Sequence, residues 1–109
     1  MFAGKEVRVF MKGQAKEAYL ELKDRKDKES TILINSIDRV KDILKENPQF
    51  GDPIRKKQIP AELGIKNLFR VELSLYWRLL YTINGTDIEI ILFILRIDDH
   101  KSYDKLFRY

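Results

Sequence analysis

From Phe69 to Arg96 the chain reads as three consecutive strands, and the last of them restricts the possible folds most. Phe69, Val71 and Leu73 alternate with Arg70 and Glu72, and Trp77, Leu79, Tyr81 and Ile83 alternate with Arg78, Leu80 and Thr82. An alternation of period two puts one set of side chains on each face of a sheet. Asn84-Gly85 then supplies the residues that favour a tight hairpin. The stretch Ile88 to Arg96 is apolar on both faces except at Glu89, the pattern of a strand with a neighbour on each side. A chain with such a strand must build a sheet around it.

The first half supplies the cover. Val7, Val9 and Met11 alternate with Arg8 and Phe10 as a short first strand. Ala15, Ala18, Tyr19 and Leu22 fall at helical spacing over residues 13 to 26, and RKDKES ends that helix. Ser30 is placed to cap a second helix, along which Leu33, Ile37, Val40 and Leu44 form one apolar stripe. Asn47-Pro48 stops it, because the residue before proline is pushed out of the α region. Residues 48 to 67 show no period and read as a long loop carrying Arg55, Lys56 and Lys57. The order is β-α-α-β-β-β, an α+β plan with a helical hairpin on one face of a small, mostly antiparallel sheet and a short C-terminal helical turn.

Size and composition fit one domain spanning 1–109. With 44% hydrophobic residues, the 109-residue chain can bury a core without disulfide or metal staples, and it has no cysteine. The opening residues lack the apolar core of a signal peptide, which makes a cytoplasmic protein the simplest expectation. No stretch reads as a membrane helix, so no membrane partner is expected. The NGT at Asn84 to Thr86 matches a glycosylation acceptor but is explained better as a turn. A formal net charge of +4 suits an anionic partner without demanding one.

If the helices cover the face carrying Phe69, Val71 and Leu73, then Arg70, Glu72 and Arg78 stand on the opposite face, which is expected to be uncovered and charged. His100, the one histidine, follows the central strand, with Tyr103 one helical turn further. These groups suit cleavage of RNA by its own 2′-hydroxyl. One group must take that proton, another must protonate the departing 5′-oxygen, and cations must stabilise the phosphorane charge. Histidine titrates at about 6.5 in model peptides, which suits His100 to either proton transfer. Guanidinium groups at Arg70 and Arg78 match phosphate oxygens, and Glu72 is a candidate base. Arg55, Lys56 and Lys57 are candidate phosphate contacts. One histidine without clustered carboxylates gives no reason to expect a metal, and no cofactor is expected.

The residues equally allow plainer roles. Arg70, Glu72 and Arg78 can be a cross-strand ion-pair set, and His100 a surface residue. Trp77 and Tyr81 belong most economically to the core, although Trp77 can also offer a base-stacking surface. Tyr103, Leu106 and Phe107 look like one helical turn docking its apolar side.

LFRVELSLYWRLLYTI, a hairpin, IEIILFILRI and DHKSYDKLF together resemble toxins of the RelE/ParE superfamily, over nearly the whole chain. The resemblance implies a metal-independent, ribosome-dependent messenger RNA endonuclease held in check by a cognate antitoxin. It aligns Arg78 with the arginine that contacts the scissile phosphate, Arg70 with the basic residue of the preceding strand, and His100 and Tyr103 with the C-terminal catalytic and base-stacking groups. Glu72 stands where some members have lysine, moving the site toward members that use histidine and glutamate. The superfamily's other branch implies a protein-binding inhibitor of DNA gyrase, and a third alternative is an inactive module that keeps only antitoxin binding.

Overall fold

A computed structural model describes all 109 residues. Its architecture is α+β, a five-stranded sheet with three α-helices. Strand β1 (Glu6–Met11) turns its valines and Met11 inward and leaves Glu6, Arg8 and Phe10 exposed. Helices α1 (Gly13–Arg25) and α2 (Lys28–Glu46) follow as an antiparallel pair. The cap of α2 is Asp27, not Ser30: the Asp27 carboxylate accepts from the Ser30 N–H, and Ser30 is buried in the first turn. An aspartate one turn earlier wins because its charge also faces the positive end of the helix dipole. Tyr19 on α1 donates to Asp38 Oδ1 on α2 at 2.7 Å, and burial together with that carboxylate pushes the Tyr19 phenol up to about 12.

The central position read for the last long strand holds. Strand β5 (Glu89–Asp98) lies between β1, parallel to it, and β4 (Arg78–Gly85), antiparallel to it. The order across the sheet is β1-β5-β4-β3-β2, with β3 at Phe69–Glu72 and β2 a two-residue edge at Asp52–Pro53. Two details differ from the sequence reading. The stretch 48–67 is not structureless: it contributes β2 and two short 3-10 turns, Lys56–Gln58 and Ala61–Leu63. Asn84 and Gly85 are also not the turn, since they still pair with Ile91 and Ile90. The chain reverses at Thr86, whose hydroxyl accepts the N–H groups of Ile88 and Glu89 and so organises the turn two residues later.

The stripe Leu33, Ile37, Val40 and Leu44 packs with Leu22 on Val71, Leu79, Tyr81, Leu92, Ile94 and Ile97. Trp77 packs against this same cluster, as the core reading expected. Helix α3 (His100–Phe107) is capped by Asp99, whose Oδ1 accepts from the Ser102 N–H at 2.8 Å. It lies on the opposite sheet face, where Tyr103 and Leu106 bury Leu68 and Leu80. Ile54, Ile59, Leu63 and Ile65 from the long connection close over that cluster. The face carrying Arg70 and Arg78 is therefore half covered, not open as the strand pattern predicts. Leu80 is the cause, because an apolar side chain between two arginines needs its own cover. No helix is long and apolar enough to cross a membrane.

Candidate functional site

The pairing of β3 with β4 sets Glu72 opposite Arg78 and Arg70 opposite Leu80. Side chains two apart on one strand share a face, so Arg70, Glu72 and Arg78 meet. Glu72 Oε1 lies 3.9 Å from Arg70 Nε and 3.6 Å from Arg78 Nε. Both Nε–H groups are shielded from solvent and neither makes a hydrogen bond. The carboxylate thus sits close enough to attract both cations and too far to satisfy either donor.

Helix α3 brings the rest of the cluster. It begins after one capping residue, Asp99, beyond Asp98, the partner of Arg78 in the β4–β5 register, so its first residue stands beside that arginine. Arg78 Nη1 lies 3.3 Å from His100 Nδ1 and donates to the Tyr76 carbonyl at 2.8 Å. Its guanidinium also lies over the Tyr103 ring, 4.9 Å from the centroid. Only 15% of the Arg78 side chain is exposed, against 66% of His100. Asp104 Oδ2 is 3.3 Å from His100 Nε2. Because an arginine nitrogen only donates, the resting contact fits a neutral imidazole that accepts at Nδ1 and donates from Nε2 to Asp104.

Arg70 Nη1 donates to the Tyr103 hydroxyl at 3.4 Å. That bond is the main reason the Arg70 guanidinium is held above its ordinary value, with burial acting against it. The structure thus gathers Arg70, Glu72, Arg78, His100 and Tyr103 on one face. Tyr103 departs from its expected part: the ring is 3% exposed, between Arg78 and the Phe107 ring at 4.6 Å. A buried ring has no open face for a base, so only its hydroxyl takes part.

Of the basic triplet, Arg55 reaches the cluster. It lines a 180 Å³ cleft with Asp52, Gln58, Arg70, Tyr103 and Tyr109. Lys57 lines a separate 350 Å³ cleft with Arg108, and Lys56 lines none of the clefts around the cluster. Two participants escaped the sequence reading. Asp104 was signalled by its four-residue spacing from His100 on a helix. Arg39 of α2 joins Arg70 and Glu72 around a 280 Å³ cleft and carried no signal, because only tertiary packing brings α2 to that edge. No cluster of three or more His, Cys, Asp or Glu side chains forms.

Compared with protein-family models, curated proteins and solved structures, the chain finds no match.

Proposed function

We propose that this protein is a RelE-like toxin that cleaves messenger RNA on the ribosome through the 2′-hydroxyl, without a metal, and is neutralised by a cognate antitoxin. The observation that carries the reading is an unbroken run of ionisable groups on one sheet face: Arg70, Glu72, Arg78, His100 and Asp104, each 3.3 to 3.9 Å from the next. Two cations flanking a carboxylate, with an imidazole at the end, supply each role the reaction needs.

A scissile phosphate entering between the guanidiniums gives their unsatisfied Nε–H groups an acceptor and displaces Glu72. The freed carboxylate takes the proton from the 2′-hydroxyl as that oxygen bonds to phosphorus. Arg70 and Arg78 hold the charge gathering on the equatorial oxygens. The bond from phosphorus to the 5′-oxygen breaks, and His100, protonated and held at Nε2 by Asp104, gives that oxygen its Nδ1 proton. The products are a 2′,3′-cyclic phosphate and a free 5′-hydroxyl, so atoms and charges balance.

Ribosome-bound message incubated with the parent, His100→Ala and Arg78→Ala tests this. The parent should cut, each variant should lose about 10²- to 10⁴-fold in rate, and the 5′ fragment should end in a cyclic phosphate. Intact message with inhibited DNA supercoiling would select the gyrase alternative. Equal cutting by all three would reduce the run of charges to a structural network.

A further inference from the structure

On the same sheet face as the arginines, toward the other edge, two aromatic rings lie side by side, Phe10 exposed and Phe93 half-buried. Phe10 of β1 and Phe93 of β5 are register partners with centroids 5.9 Å apart, stacked at 28°. Phe10 is 42% exposed although it lies within β1, and the apolar cluster that covers the other half of this face does not include it. Each ring carries a cation: Arg8 Cζ is 5.5 Å from the Phe10 centroid and Lys12 Nζ is 4.8 Å from that of Phe93.

The charge on this patch has a direction. Glu6 and Glu89 pair with each other in the register and lie at its far end, where Glu89 meets Arg8 at 3.8 Å. Lys12 follows β1 at the opposite end, and Arg96 follows Phe93 on β5. Two residues beyond Arg96 is Asp98, the register partner of Arg78. Five residues at about 3.3 Å each put the rings roughly 16 Å from that arginine, along one strand. Arg96 is held by Asp98, so the free cation at the end of the patch nearer the proposed cleavage site is Lys12.

We infer that Phe10 and Phe93, with Arg8 and Lys12, form a stacking platform for single-stranded RNA that extends the cleavage site along β5. Every base has a π-face, so the exposed Phe10 ring with the half-buried Phe93 ring beside it accepts bases of any identity, and the cations leave the rings to meet the flanking phosphates. A second protein copy is a poor occupant. Two phenylalanine rings bury at most about 300–500 Å² together, against about 800 Å² per partner in a standard interface, and charged side chains ring them. The choice of RNA over other single strands rests on the proposed function; the platform itself does not.

The test is fluorescence anisotropy with a labelled eight-nucleotide single strand, 2′-O-methylated throughout so that it cannot be cut. Phe10→Leu/Phe93→Leu keeps the apolar bulk and removes stacking, and it should weaken binding about 10- to 100-fold. Lys12→Ala, a surface change, should lower the magnitude of the salt slope by about 0.7. Leucine variants that bind as tightly as the parent, a parent that ignores the oligonucleotide or binds blunt duplex equally well, or a dimer that Phe10→Asp dissociates would each overturn the platform. Loss of binding in the leucine pair, with message left intact by the parent, would keep the platform and refute the nuclease reading. Cutting without oligonucleotide binding would do the reverse.

Discussion

Removing one oxygen from Tyr81 should cost this fold more than removing any exposed charge. The residue is fully buried, and its hydroxyl donates to the Pro48 carbonyl at 2.7 Å while accepting the Gly51 N–H at 2.9 Å. Burial pushes the phenol up, so it remains a neutral donor across the useful pH range. Tyr81→Phe keeps the ring and its stack on Phe69 at 5.2 Å, and strands one buried acceptor and one buried donor. Each unmade bond costs about 1–3 kcal/mol, so the pair should cost roughly 2–6 kcal/mol. With a urea m-value of about 1–3 kcal/mol/M, the midpoint should fall by at least about 0.7 M while m stays constant. Urea unfolding followed by Trp77 fluorescence measures both. A midpoint within about 0.3 M of the parent's would refute the reasoning, because the two backbone groups would then have other partners. The consequence reaches the site: this latch holds the turn that delivers Asp52 to its place opposite Arg70.

Four other outcomes follow from the same geometry. Glu72→Ala removes a largely exposed carboxylate, so stability should shift by no more than about 0.5 kcal/mol while message cutting falls about 10²- to 10⁴-fold; a large melting shift with unchanged cutting would mean that Glu72 only holds the arginines. The Ser102 backbone bond chiefly holds the Asp99 carboxyl below its ordinary value, so its contribution is present above the unfolded value of about 3.9 and is lost as pH falls through the lower folded value. Asp99→Ala should therefore cost about 1 kcal/mol at pH 7 in chemical denaturation, with the gap to the parent closing in the acid range below the unfolded carboxylate value. Gly51→Ala should destabilise by about 1–3 kcal/mol, since a Cβ there would lie 2.8 Å from Tyr81 Cε1 and 3.1 Å from the Arg70 carbonyl oxygen, and backbone cannot step aside; neutral melting behaviour would show that the edge strand floats. Leu75 is exposed and left-handed at φ 60°, so Leu75→Gly should raise the melting temperature by relieving up to about 1 kcal/mol of strain, and a fall would mean that its side chain packs.

What was legible in the sequence was what repeats. Leu33, Ile37, Val40 and Leu44 recur at helical spacing, and all four are buried; Val7, Val9 and Met11 alternate, and all three pack on the core. Both signals come from burying one side of a regular element, which leaves a period in the residues. The long connection shows no period because its elements, a two-residue strand and two three-residue 3-10 turns, are too short to leave one. Ile54, Ile59, Leu63 and Ile65 reach the second apolar cluster from loops and one short 3-10 turn, so the cover over Leu80 could not be read. Asn84-Gly85 misled for a related reason, since a dipeptide's turn preference of this size yields when Thr86 can organise the reversal two residues later. The gathering of Arg70, Glu72, Arg78 and His100 on one face was readable from alternation and from the strand that delivers α3, whereas the burial of the Tyr103 ring required knowing what α3 lies on.

The site depends on a defect that no pattern announced. Leu80 pairs with Arg96, yet the next residue, Tyr81, pairs with Ile94, so β5 carries one extra residue, Leu95, against β4. Strict alternation from Leu92 and Ile94 would put Arg96 and Asp98 among the helices, where a charged pair is costly. The bulge changes the phase: Ile97 joins Ile94 in the core, and Arg96 and Asp98 turn to the other face, bonded to each other at 2.7 and 3.1 Å. Asp98 then stands opposite Arg78, with its backbone leading directly into α3. Beyond the end of β1, the Gln14 side chain completes the edge by bonding both the N–H and the carbonyl of Ile97. A one-residue insertion thus lets a strand that is apolar on both faces at its middle end as the wall of a charged cleft. It also fixes where α3 starts, and with it the meeting of the imidazole and the guanidinium that the proposed chemistry needs.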